Sequence, residues 1–429
     1  MTATLPPGPT LGSVGLDGNL YVLGGAPFAQ DVFTDLIMGA PRKLIPALVA
    51  HSLAYSTTVT PYIAQINPST MNVATINLTR GKNYGLNYIG SILEHSNGYL
   101  YTIAQGYVYK IDPKTLTVAL SQQLPLATGS SGKPNKLTAY NGLGADVRGD
   151  LILHGFPEGG GGDNLLVMVD ATNLSIEATY EESELSIARP TIVSTNGHQP
   201  EYLYMPGSTQ SKRYLLTAKG FTLDNAFTQQ YLFPSSDSGA VPAGADIYMG
   251  NGILWVDNGD FTANAPMTIF AQGASSGSLI QEQGAFYGTT GDGWYLFGQA
   301  GDPFKTGVEA IHNSVTGHIA AFAACDGGVT AQPLWVNDRI QGSAGMAIDY
   351  ANGQLYADDR QCSGTTWRNS TCTLSFVVLN LRTGKQIARV NVPGTEPSNA
   401  QEFIMQNAVF YIAGESGKPN GYITRITAH

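Results

Sequence analysis

An all-β fold, resolving into a β-propeller of eight four-stranded blades, follows from three observations on the 429-residue sequence. The first is composition. Glycine (51) and tyrosine (22) are abundant, while charged residues make up only 13%, about half the usual share of a soluble domain. Disorder, coiled coil, collagen and helical bundle are thereby excluded. The second is local pattern: short runs rich in Tyr, Ile, Val and Thr, bounded by Gly and Asx turns, recur along the whole chain. The third is spacing. Eight such units fill the chain at about 54 residues each, a regularity that radial repetition of small sheets produces and a β-sandwich array does not.

One unit reads as a strand, a tight Gly turn, a strand, a loop, a strand ending in Asn or Asp, an Asx turn and a last strand. Residues 89–125 are the clearest copy. Asn97-Gly98 is expected to form a hairpin turn with both residues at positive φ. Asp112-Pro113-Lys114-Thr115 is the second turn, where Pro fixes φ and Asp bonds the nearby backbone. The first turn recurs at Asp17-Gly18, Arg148-Gly149, Asn196-Gly197, Asn251-Gly252, Asp292-Gly293, Asn352-Gly353 and, degenerately, Gln406-Asn407. The second recurs at Asn67–Thr70, Asp170–Asn173, Asn313–Gly317 and Asn380–Gly384.

The blades therefore span about 11–80, 88–125, 136–182, 188–233, 240–282, 284–326, 343–393 and 396–429. The last shows three strands, and residues 2–6 are expected to supply its outer one, closing the ring and covering an edge. A misread first or last unit lowers the count to seven. Residues 1–429 form one domain, with an insertion at 26–58 in the first blade. Apolar spacing within 29–50 fits a short helix.

Acidic residues outnumber basic ones 32 to 22, for a net charge of −10. A nucleic-acid surface needs the opposite balance, so no such partner is expected. No apolar run reaches the roughly 18 residues of a membrane span, so no membrane partner is expected either. The sequence sets no oligomeric state.

Cys362 and Cys372 bracket a loop between two strand-like runs, which favours a disulfide over two free thiols. Cys325 is left over, as a small buried hydrophobe. Sequons occur at Asn77, Asn173 and Asn369, so N-linked glycans are expected. With the scarcity of Lys they favour the secretory pathway. No leader pattern opens the sequence, so secretion implies one already removed, and the other reading is a cytosolic protein.

In such a ring the first-to-second and third-to-fourth turns share one face, and here nearly all are tight. The second-to-third and blade-to-blade loops share the other, and these are long: 25–60, 81–88, 126–142, 154–164, 233–245, 258–266, 299–306, 325–342 and 358–371. Irregular loops on a rigid scaffold are where binding and catalysis concentrate. His51, His154, Arg339, Tyr84 and Tyr140 are the candidate proton donors and charge stabilisers of that face. Tyr88, Phe156, Phe233, Tyr287, Trp335 and Trp367 are its candidate substrate-binding aromatics, with Asp246, Arg360 and Glu402 as polar partners. Apolar walls with a few convergent polar groups suit a small organic substrate.

No metal is expected, because the seven histidines do not fall on several innermost strands. Asp257-Asn258-Gly259-Asp260 and Asp358-Asp359 have oxygen donors that suit calcium, but a turn at the first and a solvated pair at the second are the favoured readings. No phosphate cradle, dinucleotide fingerprint, GxSxG elbow or HExxH is present, and Gly159–Gly162 reads as a flexible loop.

Asp112-Pro113-Lys114-Thr115 and Asn380-Leu381-Arg382-Thr383-Gly384 resemble the outer-hairpin turns of quinoprotein-like propellers. Dehydrogenases of that class also carry a vicinal disulfide and tryptophan docking motifs. Four tryptophans and no adjacent cysteines argue against their cofactor, and no cofactor is expected. In architecture, sequons and missing cofactor motifs the chain is also similar to fungal hetero-Diels–Alderases of tropolonic sesquiterpene pathways. That resemblance implies acid-assisted loss of water to give a quinone methide, then [4+2] addition to a terpene alkene. A polysaccharide lyase or hydrolase and a non-catalytic sugar- or ligand-binding propeller are the alternatives. Loop sequences differ between blades, which favours one asymmetric site over a lectin's repeated ones.

Overall fold

The computed structural model describes residues 1–25, 60–78, 92–129, 131–135, 138–157, 162–182, 191–195, 198–205, 210–226, 229–230, 247–250, 253–257, 267–271, 278–280, 298–300, 307–312, 319–325, 328–340, 346–350, 352–363, 371–393, 396–405, 408–414 and 421–427. The chain opens on β1 (Thr2–Leu5). Blade 1 is β2 (Pro9–Val14), β3 (Leu20–Gly24), β4 (Tyr62–Ile66) and β5 (Val73–Asn77). Blade 2 is β6 (Ile92–Glu94), β7 (Leu100–Ala104), β8 (Tyr107–Asp112) and β9 (Thr117–Gln123). Blade 3 is β10 (Thr138–Ala145), β11 (Leu151–Pro157), β12 (Asn164–Val169) and β13 (Ile176–Glu182). Blade 4 is β14 (Thr191–Thr195), β15 (His198–Met205), β16 (Gln210–Thr217) and β17 (Gly220–Leu223), with β18 (Gln229–Gln230) beside β16. Blade 5 is β19 (Ile247–Gly250), β20 (Ile253–Asp257), β21 (Met267–Ala271) and β22 (Ser278–Ile280). After β23 (Gly298–Ala300), blade 6 shows β24 (Val308–His312), β25 (Ile319–Cys325) and β26 (Gly328–Asn337). Blade 7 is β27 (Met346–Asp349), β28 (Gln354–Ser363), β29 (Thr371–Asn380) and β30 (Gln386–Val392). Blade 8 is β31 (Glu396–Met405), β32 (Ala408–Gly414) and β33 (Gly421–Thr427).

These are eight separate sheets, which fits eight blades. Within each blade, neighbours in sequence pair antiparallel. Blade 8 takes its outer strand from the N-terminus, as anticipated: β1 pairs with β33 in register Thr2↔Thr424 to Leu5↔Gly421.

The core lies in the seams between blades, because strand side chains alternate between the two faces of each sheet. On β11, Leu151 and Leu153 pack against blade 2 with Tyr101, Ile103 and Val108. Ile152, one step along, packs against blade 4 with Leu203, Tyr214 and Leu216. Equivalent clusters fill the seams 1–2, 6–7, 7–8 and 8–1.

The Asx turns form as expected and add a positive-φ residue at their fifth position: Met71, Leu116, Leu174 and Gly384. Asn67 Oδ1 accepts from the amides of Ser69 and Thr70, and Asn380 Oδ1 from those of Arg382 and Thr383. The tight Gly turns differ from expectation. At residues 95–99 only Gly98 has positive φ; the Gly98 amide bonds the His95 carbonyl and the His95 amide bonds the Tyr99 carbonyl. This is a type I turn followed by a left-handed glycine rather than a two-residue I′ turn. Asn97 contributes through its side chain, accepting from the Tyr99 amide and donating to the Tyr101 hydroxyl.

Blade 6 is the main correction. Asn337 Oδ1 accepts from the Arg339 and Ile340 amides, so an Asx turn closes β26, the last described strand of the blade 6 sheet. The turn expected at 313–317, between β24 and β25, lies outside the described residues. Most of the segment assigned to a long loop at 325–342 is therefore strand and turn. β23 was not foreseen: it pairs parallel with β27 on the axial side of blade 7. The 26–58 insertion, where a short helix is expected, lies outside the described residues.

Candidate functional site

The two ends of the ring are built differently. On the tight-turn end, side chains of one blade clasp the Asx turn of the next. Two residues before each turn's Asn or Asp, Gln65 donates to the Pro113 carbonyl (3.0 Å), Lys110 to that of Ala171 (3.1 Å) and Trp335 to that of Leu381 (2.9 Å). Three unlike side chains thus perform one task at seams 1–2, 2–3 and 6–7. His95 adds a further link. Its Nδ1 accepts from the Asn97 amide, which leaves the proton on Nε2 to donate to the Gly149 carbonyl at 2.8 Å.

At the opposite end two described loop segments touch each other. Thr128 and Pro134 pair in an isolated antiparallel bridge. Gly129 then bridges Gly162, and Thr128 Oγ1 donates to Glu181 Oε1 at 2.5 Å. A blade-to-blade loop and a second-to-third loop therefore meet on one face, as the topology requires. Gly162 is tied into this contact rather than free: a Cβ there would lie 2.2 Å from the Thr128 carbonyl.

Several candidate residues are relocated. Arg339 is exposed on the tight-turn end. Trp335 lies in β26, its indole over Gly384 and bonded to the Leu381 carbonyl, also at the tight-turn end. Tyr140 is buried on β10 and donates its hydroxyl to the Pro125 carbonyl at 2.5 Å. Burial pushes that phenol up, so it is held as a structural donor. His154 and Phe156 stand inside β11 rather than in a loop. His154 is 0% exposed, with Phe156 5.8 Å away ring to ring. No dissolved substrate touches a side chain so enclosed in this conformation.

Strand alternation puts His154 and Phe156 on the blade 4 side of blade 3, with buried Asn164 and Glu182. Glu182 is ion-paired with Lys212 of β16 across the seam. Sequence reasoning missed Asn164, Glu182 and Lys212. Their signal was polar side chains at strand ends whose alternation points them inward. Asp358 and Asp359 are both 0% exposed within β28, not solvated; Asp359 pairs with Arg389 at 2.5 Å. Arg360 lies on β28 opposite Leu374, and Glu402 on β31 opposite Tyr411. His51, Tyr84, Tyr88, Phe233, Asp246, Tyr287, Trp367 and Asn369 lie outside the described residues. Asn77 and Asn173 are exposed, at the end of β5 and in the blade 3 Asx turn.

No family model and no curated protein matches the chain. Solved structures do. A quinohemoprotein alcohol dehydrogenase from Comamonas testosteroni aligns over 99% of this chain and 76% of its own, at TM-score 0.61 and 10% identity. BamB from Moraxella catarrhalis aligns over 86% and 89% at TM-score 0.47 and 12% identity. AztD from Citrobacter koseri aligns over 90% and 87% at TM-score 0.47 and 11% identity. At such identities the likeness is one of fold alone: the chain is a β-propeller.

Proposed function

We propose that this propeller binds an apolar organic small molecule on its irregular-loop face and acts on it without a redox cofactor, as a cyclase of natural-product biosynthesis. The observation that carries the reading is the contrast between the two ends. The tight-turn end carries blade-to-blade clasps at three described seams, while at the other end, to which the sequence assigns the long insertions, two described loop segments meet. With Arg339 and Trp335 at the tight-turn end and Tyr140 and His154 buried, the proton donor falls to His51 or Tyr84. In the hetero-Diels–Alder form of the reaction, that donor assists cleavage of a benzylic C–O bond. Water leaves and a quinone methide remains. The aromatics of the face hold it against an alkene while one C–C and one C–O bond form. Positioning of the two partners supplies most of the acceleration, and a hydrogen bond to the quinone methide oxygen the rest.

Exposed sequon asparagines at 77 and 173 support a secreted, glycosylated protein. A non-catalytic ligand-binding propeller is the second reading. It is favoured by the burial of Tyr140 and His154 and by the place of Arg339 on the tight-turn end. The test is incubation with an ortho-hydroxybenzyl alcohol and a cyclic sesquiterpene alkene, followed by chiral chromatography. One enantiomer of the adduct, lost in His51→Ala or Tyr84→Phe, supports the cyclase. Racemic adduct at the uncatalysed rate rejects it and leaves the binding reading.

A further inference from the structure

Ten consecutive residue pairs join β28 to β29, from Gln354↔Asn380 to Ser363↔Thr371, with no bulge between them. In this unbroken register Cys362 stands directly opposite Cys372. Opposed residues of an antiparallel pair have Cα atoms about 4.5–5.5 Å apart. Disulfides form at Cα separations of about 4.4–6.8 Å. A slip of one residue would put the two cysteines on opposite faces of the sheet, and ten pairs hold the register against it. The third cysteine, Cys325, ends β25 in another blade, opposite Gly328. We infer that Cys362 and Cys372 form a cross-strand disulfide that clamps the base of the 364–370 connection on the irregular-loop face, and that Cys325 remains a thiol.

The step balances with a small-molecule disulfide such as oxidised glutathione. One cysteine thiolate attacks it and expels a glutathione thiolate. The second cysteine then attacks the mixed disulfide and expels the other. Two protons and two electrons leave the protein, and the oxidant ends as two thiols. The clamp holds the ends of the segment that carries Trp367 and Asn369, two residues of the expected site and glycan positions. The inference is independent of what the face binds.

The test uses the full chain, reduced and then incubated with oxidised glutathione. It is alkylated under denaturing conditions, freed of any N-glycan and digested with trypsin. The expected result is a single species linking 361–368 to 369–382, one alkyl group per chain, on Cys325, and the same link in Cys325→Ser. Glutathione adducts on Cys362 and Cys372 without the link, or a bridge that includes Cys325, would overturn it.

Discussion

Two residues carry the sharpest expectations. Glu94, half-buried at the end of β6, is pushed up to about 7 by burial and by the charge of Asp17. Asp17 itself accepts from Tyr21 and Gln65 at the same seam. The folded protein therefore keeps a proton on Glu94 that the unfolded chain releases at its ordinary value of 4.5. With fewer protons bound to the unfolded state, this group's contribution to stability falls as pH rises from about 4.5 to about 7, then levels off. Urea midpoints measured across that window are expected to decline in the wild type and to decline less in Glu94→Gln; equal slopes would remove Glu94 from the explanation. Trp335 is the second. If it is a clasp rather than a ligand platform, Trp335→Ala costs about 2–4 kcal/mol from lost packing and a lost hydrogen bond. Trp335→Phe should cost less, with the difference read in thermal midpoints. A Trp335→Ala protein of unchanged stability would mean that the indole packs elsewhere.

At the scale of the element, the turns test the argument. Gly98 and Gly384 both have positive φ, but a Cβ on Gly98 meets nothing within 4 Å, while one on Gly384 lies 2.6 Å from the Trp335 ring. Gly98→Ala is expected to cost about 1–2 kcal/mol, the left-handed penalty alone. Gly384→Ala should cost clearly more, and equal losses would show that the ring moves away freely. The same turns explain what the sequence revealed. Asp112-Pro113-Lys114-Thr115 was legible because Asp and Pro each act on their own backbone. Asn337-Asp338-Arg339-Ile340 uses the same Asn cap but has no Thr, Pro or Gly to mark it. With no such mark, residues 325–342 read as a loop, and that placed Arg339 and Trp335 at the wrong end of the ring. β23 was illegible because Gly-Gln-Ala has no strand pattern and its parallel pairing is decided by tertiary position. His154 and Tyr140 were misread for another reason: a polar side chain near a strand end is loop-like in sequence, and only alternation shows that it points inward.

For the whole molecule, stability depends on closure. β1 hydrogen-bonds to β33 and buries Leu5 in the seam of blades 8 and 1. Deleting residues 1–5 should uncover the β33 edge, lower the thermal midpoint and promote self-association. A truncated protein that melts unchanged as a monomer would mean that closure is supplied elsewhere. Closure also makes two unlike ends, and the functional reading rests on that difference. The most direct test is to soak crystals of the full chain with phenol and with cyclohexene, as stand-ins for an aromatic and an alkene partner, and to map where each is ordered. Both should gather at the irregular-loop end, around the insertions after β3, β5 and β28. Occupancy confined to the tight-turn end, among the clasps of Gln65, Lys110 and Trp335, would contradict it.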